Sequence, residues 1–351
     1  MKTTALDLNF LTQFRNHKMT LKFALLGAGR IGKVHAKAIA ANPDATLVAV
    51  ADAFSAAAKE LAAAYNCTVK SIDEIEADKS IDAVIICTPT TTHADLIERF
   101  ARAKKAIFCE KPIDLSLERV KACLEVVKKT KAKLIVGFNR RFDPHFMAVR
   151  DAIADGKIGD VEMVQIISRD PGAPPVSYIK TSGGILRDMT IHDFDMARFL
   201  LGEEPTHVTA TASVLVDSAI GKAGDYDSVS VILMTKSGKH CSISNSRRAT
   251  YGYDQRIEVH GSAGVIRAEN QRAVSIEIAN GSGYTRPPLH DFFMTRYTEA
   301  YANEIAAFIS VIKDNAAPSP NGQDGMIALA LAEAALLSIN EGRMVAVKEV
   351  V

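Results

Sequence analysis

Asp188 and His192 lie four residues apart in Gly183-Gly184-Ile185-Leu186-Arg187-Asp188-Met189-Thr190-Ile191-His192. A four-residue step on a helix brings two side chains to one side. An imidazole beside a carboxylate is equipped to exchange a proton near neutral pH, because histidine titrates there and the acid can orient or tune it. Alone, the pair would read as a structural hydrogen bond. Two other segments weigh against that reading. Gly27-Ala28-Gly29-Arg30-Ile31-Gly32 joins the apolar run from Leu21 to Leu26 to a helix-like stretch from Lys33 to Ala41. In this setting Gly27 permits the tight turn, Gly29 lets a pyrophosphate approach the backbone, and Gly32 allows close helix packing. The free N–H groups around Arg30 and Ile31 face the anion. Asp52 ends the next strand, about 20 residues further on, where a dinucleotide fold places the acid that binds ribose hydroxyls. The combination points to a nicotinamide dinucleotide. Further polar groups follow later strands: Thr88-Pro89-Thr90-Thr91-Thr92-His93 and Glu110-Lys111-Pro112. Loops at those strand ends lie near the nucleotide.

The elements that must hold these groups can be read from periodicity. Leu186, Met189, Phe194, Ala197, Leu200 and Leu201 recur as one buried face, so 183–202 reads as a single helix stopped by Gly202 and Pro205. From Leu21 to Val136, short apolar runs such as Ala83-Val84-Ile85-Ile86-Cys87 alternate with helical patterns. That order implies parallel βαβ units. Beyond Pro144 the pattern changes to strands joined by short turns, at 161–169, 207–216, 228–235, 240–245, 256–260, 265–268 and 273–278, and amphipathic helices at 298–313 and 324–340 close the chain. Such strands imply a large, mainly antiparallel sheet. The expected fold class is α/β: an N-terminal dinucleotide-binding domain over 19–141 and a C-terminal α+β domain over 142–351. Residues 1–18 form a leader to which no role is attached.

Bulk properties narrow the function classes. The 351 residues are 48% hydrophobic and 24% charged, with 42 basic and 41 acidic side chains. These are the proportions of a soluble globular protein, and without a basic block nucleic acid is not an expected partner. Cys67, Cys87, Cys109, Cys123 and Cys241 are scattered and show no metal-ligand spacing. A reduced, cytoplasmic protein without a metal is expected. The richest apolar run, from Met326 to Ile339, is interrupted by Glu333 and reads as a core helix rather than a membrane span.

Gly27-x-Gly29-x-x-Gly32, Glu110-Lys111-Pro112, Gly137-Phe138-Asn139-Arg140-Arg141-Phe142-Asp143, the D-x-x-x-H of Asp188 and His192, and the segment from Arg247 to Arg256 together resemble the Gfo/Idh/MocA family of oxidoreductases, and within it the branch that oxidises inositols. The likeness runs from about Leu21 to the C-terminus. It implies a Rossmann domain followed by a substrate domain whose open sheet builds a tetramer, with the last helix free to pack back on the Rossmann domain. It further implies NAD as cofactor, held by Gly27, Gly29, Arg30, Ile31, Gly32, Asp52, Thr88, Thr90, His93, Glu110 and Lys111. Lys111, Asp188 and His192 would be catalytic, with Arg141, Asp170 and Tyr251 as further polyol contacts. The implied reaction is oxidation of a secondary hydroxyl of myo-inositol to the 2-keto product. Dehydrogenases of scyllo-inositol, other cyclitols or sugars are the near alternatives, and a non-catalytic NAD-binding regulator is the distant one. The chemistry agrees: hydride leaves a carbon whose hydroxyl proton must also go, so His192 serves as base, Asp188 orients it, and Lys111 supplies fixed positive charge beside the developing alkoxide.

Overall fold

The computed structural model describes residues 20–351, and the expected leader lies outside the described residues. The first half contains β1 (Leu21–Leu26), α1 (Arg30–Ala41), β2 (Ala45–Ala51), α2 (Ser55–Ala64), β3 (Thr68–Val69), α3 (Ile72–Ala77), β4 (Ala83–Ile86), α4 (His93–Arg102), β5 (Ala106–Glu110), α5 (Leu117–Thr130) and β6 (Leu134–Gly137). Its strands pair in the order β3-β2-β1-β4-β5-β6, all parallel. β4, β5 and β6 are buried along their whole length, as expected of strands covered on both faces by helices. The strand order reverses between β1 and β4, which opens a crevice over the loops that leave their C-terminal ends.

The second half continues with α6 (Pro144–Ala154), β7 (Val161–Arg169), α7 (Val176–Ser182), α8 (Ile191–Leu201), β8 (Pro205–Ser213), α9 (Ser218–Lys222), β9 (Ser228–Thr235), β10 (His240–Ser246), β11 (Asp254–Gly261) and β12 (Gly264–Ala268). A small hairpin, β13 (Ile278–Asn280) and β14 (Gly283–Thr285), precedes α10 (Phe293–Arg296), α11 (Thr298–Lys313), α12 (Gly322–Glu341) and β15 (Val345–Ala346). Seven strands form one sheet in the order β12-β11-β7-β10-β9-β8-β15. β7 and β10 run parallel and the other pairs antiparallel. Val229, Val231 and Leu233 are buried on the face that carries the helices, whereas Ser230 and Ile232 point outward. A strand expected over 273–278 does not form. Val274 and Ile276 are exposed, and β13 begins only at Ile278. Alternation of apolar residues selects a face but supplies no partner edge.

The segment read as one helix is divided. α7 ends before Gly183 and Gly184, whose φ angles are 86° and 84°. A π-helical turn over Leu186–Thr190 then leads into α8. The Asp225 carboxylate accepts the Ile185 N–H at 3.0 Å, and a Cβ on Gly184 would stand 2.7 Å from Asp225 Oδ1. Close approach of that acid therefore requires glycine here.

The last two long helices return to the first sheet. Phe308 on α11 meets Phe23 and Phe108 at centroid distances of 5.9 Å. Lys133 Nζ donates to the Val311 carbonyl at 2.7 Å, and Lys313 pairs with Asp44 at 2.8 Å. By length and composition α12 could cross a bilayer, but Ala328, Leu329, Leu331, Ala334 and Ala335 are buried within the protein. A Cβ on its Gly325 would lie 3.0 Å from the Ile113 side chain, while its Ser338 hydroxyl accepts the Ala210 N–H of β8 at 2.9 Å. This helix is the wedge between the two sheets.

Candidate active site

The glycine loop has the shape its spacing implies. Gly27 has a φ of 98°, and a Cβ there would lie 2.4 Å from the Cys87 carbonyl oxygen. A Cβ on Gly32 would collide with the Gly27 carbonyl at 2.0 Å, whereas one on Gly29 would meet nothing within 4 Å. The first and third glycines are required by the protein, and the second leaves an open approach. α1 begins at Arg30, and its first internal bond runs from Lys33 N–H to the Gly29 carbonyl at 3.0 Å. The preceding N–H groups have no partner within the helix and would meet an anion with the helix dipole behind them. Asp52 accepts the Ala28 N–H at 2.6 Å and the Phe54 N–H at 2.7 Å, which ties the loop to the end of β2. Arg30 is exposed and lies over the Phe292 ring at 5.8 Å, and Ile31 is half-buried. This open, donor-lined cradle fits a dinucleotide.

Two expected nucleotide contacts turn inward instead. His93 is buried; its Nδ1 lies 2.8 Å from the Pro112 carbonyl and its Nε2 2.7 Å from the Thr88 carbonyl. The ring fastens the loop after β4 to the loop after β5, and burial lowers its pKa despite those carbonyls. Glu110 also points into the protein, toward His35. Thr88 bonds Thr92 at 2.7 Å, and Thr90 opens a short 3-10 turn, so these two threonines remain at the crevice.

Lys111, Asp188, His192 and Asp170 come together, but not in the arrangement their spacing suggested. No hydrogen bond joins Asp188 to His192 among the described residues; His192 Nδ1 is buried without a partner. Asp188 sits in the π-helical turn and His192 in the first turn of α8 beyond it. Lys111 Nζ donates to the Asp188 carbonyl at 2.5 Å and stands 3.5 Å from its carboxylate. Tyr178, unnoticed in the sequence, donates its hydroxyl to Asp188 Oδ1 at 2.8 Å. Burial and that carboxylate raise the Tyr178 pKa, so the phenol remains a donor. Arg247, 1% exposed, brings two guanidinium nitrogens to 3.5 Å from Asp188 Oδ2. Asp188 is therefore the anion shared by a lysine and an arginine.

His192 packs edge-on against Phe138 at 6.0 Å. Burial first, then the positive charges of Lys111 and Arg140, hold its pKa well below the ordinary histidine range. The neutral ring can accept a proton, and with Nδ1 enclosed, Nε2 is the nitrogen left for that task. Asp170 lies in the field of Arg247 and Asp188, and burial raises its pKa to about 7. It can therefore donate or accept toward a hydroxyl.

Arg141 and Tyr251 do not join this group. The Arg141 fork is occupied by Asp195 at 2.6 and 2.7 Å and by Asp324 at 3.1 Å, and its guanidinium lies over Phe199. It locks α8 to α12. Tyr251 donates to Asp254 at 2.6 Å and lines a depression on the open face of the second sheet with Arg169 and Arg248. Charge and position in a motif identified polar residues, but the carboxylates that claim Arg141 are distant in sequence, and Tyr251 is claimed by its near neighbour Asp254.

Comparison with known proteins agrees with this architecture. Residues 21–138 match the model described as "Oxidoreductase family, NAD-binding Rossmann fold", and 150–347 match "Oxidoreductase family, C-terminal alpha/beta domain". The chain is 75% identical over 329 residues to the inositol 2-dehydrogenase of Rhizobium meliloti (strain 1021), covering 94% of this chain and 100% of that one. It is 44% identical over 333 residues to a myo-inositol 2-dehydrogenase of Thermotoga maritima, covering 94% and 100%. A crystal structure of scyllo-inositol dehydrogenase from Lactobacillus casei with bound NAD(H) and scyllo-inositol superposes with a TM-score of 0.87 at 28% identity, covering 94% of this chain and 99% of that one.

Proposed function

The chain belongs to the Gfo/Idh/MocA family of oxidoreductases, and from that premise we propose that it oxidises a secondary hydroxyl of myo-inositol to 2-keto-myo-inositol with NAD. The observation that carries the reading is the convergence of Lys111, Asp188 and a neutral His192 at the crevice. NAD held by the Gly27–Gly32 loop and Asp52 would supply the hydride acceptor. His192 takes the hydroxyl proton at Nε2, its ring set for that by burial and two cations. Lys111, held by the Asp188 carbonyl and carboxylate, presents fixed positive charge to the oxygen that becomes the ketone. Asp188 and Asp170 offer acceptors for neighbouring hydroxyls; a ring with several similar hydroxyls needs such contacts to hold one carbon in place.

Asp52 favours NAD over NADP. A 2′-phosphate would meet its carboxylate, and no arginine follows in Ala53-Phe54-Ser55-Ala56. Two unit charges at 4 Å repel by at most about 4 kcal/mol at an effective dielectric of 20. A panel of cyclitols and sugars with NAD or NADP, read by reduced-cofactor absorbance, tests both points. Absence of inositol oxidation would refute the activity, and equal efficiency with the two cofactors would refute the role of Asp52.

The outer face of the second sheet supports a homotetramer. Ile232, Met163 and Val265 are each more than 40% exposed there, beside Ser230, Ser242 and Ser244 and opposite the face packed by helices. A second copy of the chain is the occupant suited to such a broad, mostly uncharged sheet. Light scattering at micromolar concentration should give the tetramer mass, and a monomer would refute the assembly. Five unpaired cysteines suit a reducing cytoplasmic setting.

A further inference from the structure

His35 on α1, Glu110 at the end of β5 and Glu304 on α11 meet in the interior. His35 and Glu304 are 0% exposed. His35 Nε2 lies 2.6 Å from Glu110 Oε1, while Nδ1 lies 3.8 Å from Glu304 Oε1. Nδ1 and both Glu304 oxygens lack a hydrogen-bond partner. The surrounding groups are the Phe108 and Tyr301 rings, 5.0 and 5.6 Å from the imidazole, and the Cys87 and Cys109 thiols in the field of Glu110. Among the described residues no lysine or arginine pairs with either carboxylate. A buried acid with neither donor nor cation is unfavourable as an anion. Burial and the nearby Glu110 carboxylate raise the Glu304 pKa well above the usual range.

A hydrogen on Glu304 gives two of these three atoms, Nδ1 and one carboxyl oxygen, a partner in each other. With Nε2 engaged by Glu110, Nδ1 is left to accept, and the Glu304 carboxyl 3.8 Å away is the group placed to donate to it. We propose that Glu304 and His35 are positioning residues for Lys111: Glu304 donates to His35, His35 donates to Glu110, and this chain pins the peptide that carries the lysine. Gly137 leaves Glu110 little slack, because a Cβ there would lie 3.1 Å from its carboxyl group. Pro112 is held from the other side by His93, so the Glu110-Lys111-Pro112 loop is fixed at both ends.

The inference rests on the reading of Lys111 as the substrate-facing cation, and its test separates the two. Infrared spectra of the full-length protein at neutral pH should show a protonated-carboxyl C=O band that disappears in Glu304→Gln; absence of the band in the wild type would overturn the chain whatever the substrate proves to be. In kinetics, Glu304→Leu removes the donor at similar volume and should lower kcat about tenfold while NADH affinity stays within about twofold. Glu304→Gln keeps an N–H donor and should restore most of that loss. A folded Leu variant with wild-type kcat, or a folded Gln variant as impaired as Leu, would overturn the role. If Leu does not fold, Gln decides. A stoichiometric metal retained by the protein and lost in Glu304→Gln would also overturn it, since one atom from each of the three side chains lies within 4.8 Å of the others and the group would then be a cation site. A wild type that folds, shows the band and oxidises no cyclitol would instead refute the proposed function alone.

Discussion

Replacing Asp188 with Asn keeps the side chain's size and removes the negative charge that Lys111 and Arg247 share at 3.5 Å. At an effective dielectric of 20, each attraction has a ceiling of about 5 kcal/mol. The three side chains are 14%, 15% and 1% exposed, so solvent screens the contacts only in part. Desolvation offsets much of the attraction, and the expected net loss of stability is about 3 kcal/mol, the usual cost of removing one partner of a buried pair. The thermal midpoint should fall by several degrees. Turnover should fall as well, because Lys111 loses an anchor and the substrate loses an acceptor. The acid inflection in kcat/KM should nevertheless stay in place: burial, Lys111 and Arg140 set the pKa of His192, which has no hydrogen bond to Asp188. Thermal unfolding and a pH series on the same protein check all three expectations. Unchanged stability combined with a displaced inflection would show that the acid orients the histidine, and the charge-sharing arrangement would be wrong.

Three further perturbations follow from the same geometry. His192→Ala should lower turnover by about a hundredfold to ten-thousandfold while leaving NADH binding near wild type; in the wild type kcat/KM should rise with pH through an inflection below about 6.5, the ordinary histidine value. Because the His192 pKa is depressed in the folded protein, the unfolded chain takes the proton first, so stability declines as pH falls from the unfolded value down through the folded one, which a urea titration at successive pH values would reveal. Gly29→Ala should fold normally yet raise the KM for NAD, since its Cβ meets only the open approach; Gly32→Ala should reduce expression or stability instead. Arg141→Met should cost about 3–5 kcal/mol of stability by stranding Asp195, with kcat within about threefold of wild type in the folded fraction; a selective rise in the KM for inositol would reinstate Arg141 as a polyol contact.

Much of the first half was legible because its signals are local. The glycine spacing, the apolar run before it and Asp52 all lie within one β-α-β unit, and the Gly27 and Gly32 contacts require glycine from the protein alone. Helical periodicity likewise located α8, but it could not show that Asp225, 37 residues beyond Asp188, would reach the Ile185 N–H and help shape a π turn. Arg247, though part of a motif, and Tyr178 carried no sign of a site role for a related reason. One approaches Asp188 from the end of a strand 59 residues away, and the other from a separate short helix. Arg141 shows the converse: its sequence advertises a free cation, while the carboxylates that hold it, Asp195 and Asp324, are 54 and 183 residues downstream.

The return of α11 and α12 to the first sheet has a consequence for engineering. A chain cut after residue 141 would carry the whole nucleotide motif but lose the cover that Phe308 gives Phe23 and Phe108, the carbonyls that receive Lys133, and the Asp44 partner at Lys313. It would also remove Glu304 from His35 and Asp324 from Arg141. Recombination that grafts a foreign cofactor module onto this substrate half must therefore transfer two discontinuous pieces, the N-terminal segment and the helices from Thr298 to Glu341. A crossover placed only at the midpoint of the sequence would join halves whose cores were selected for different neighbours.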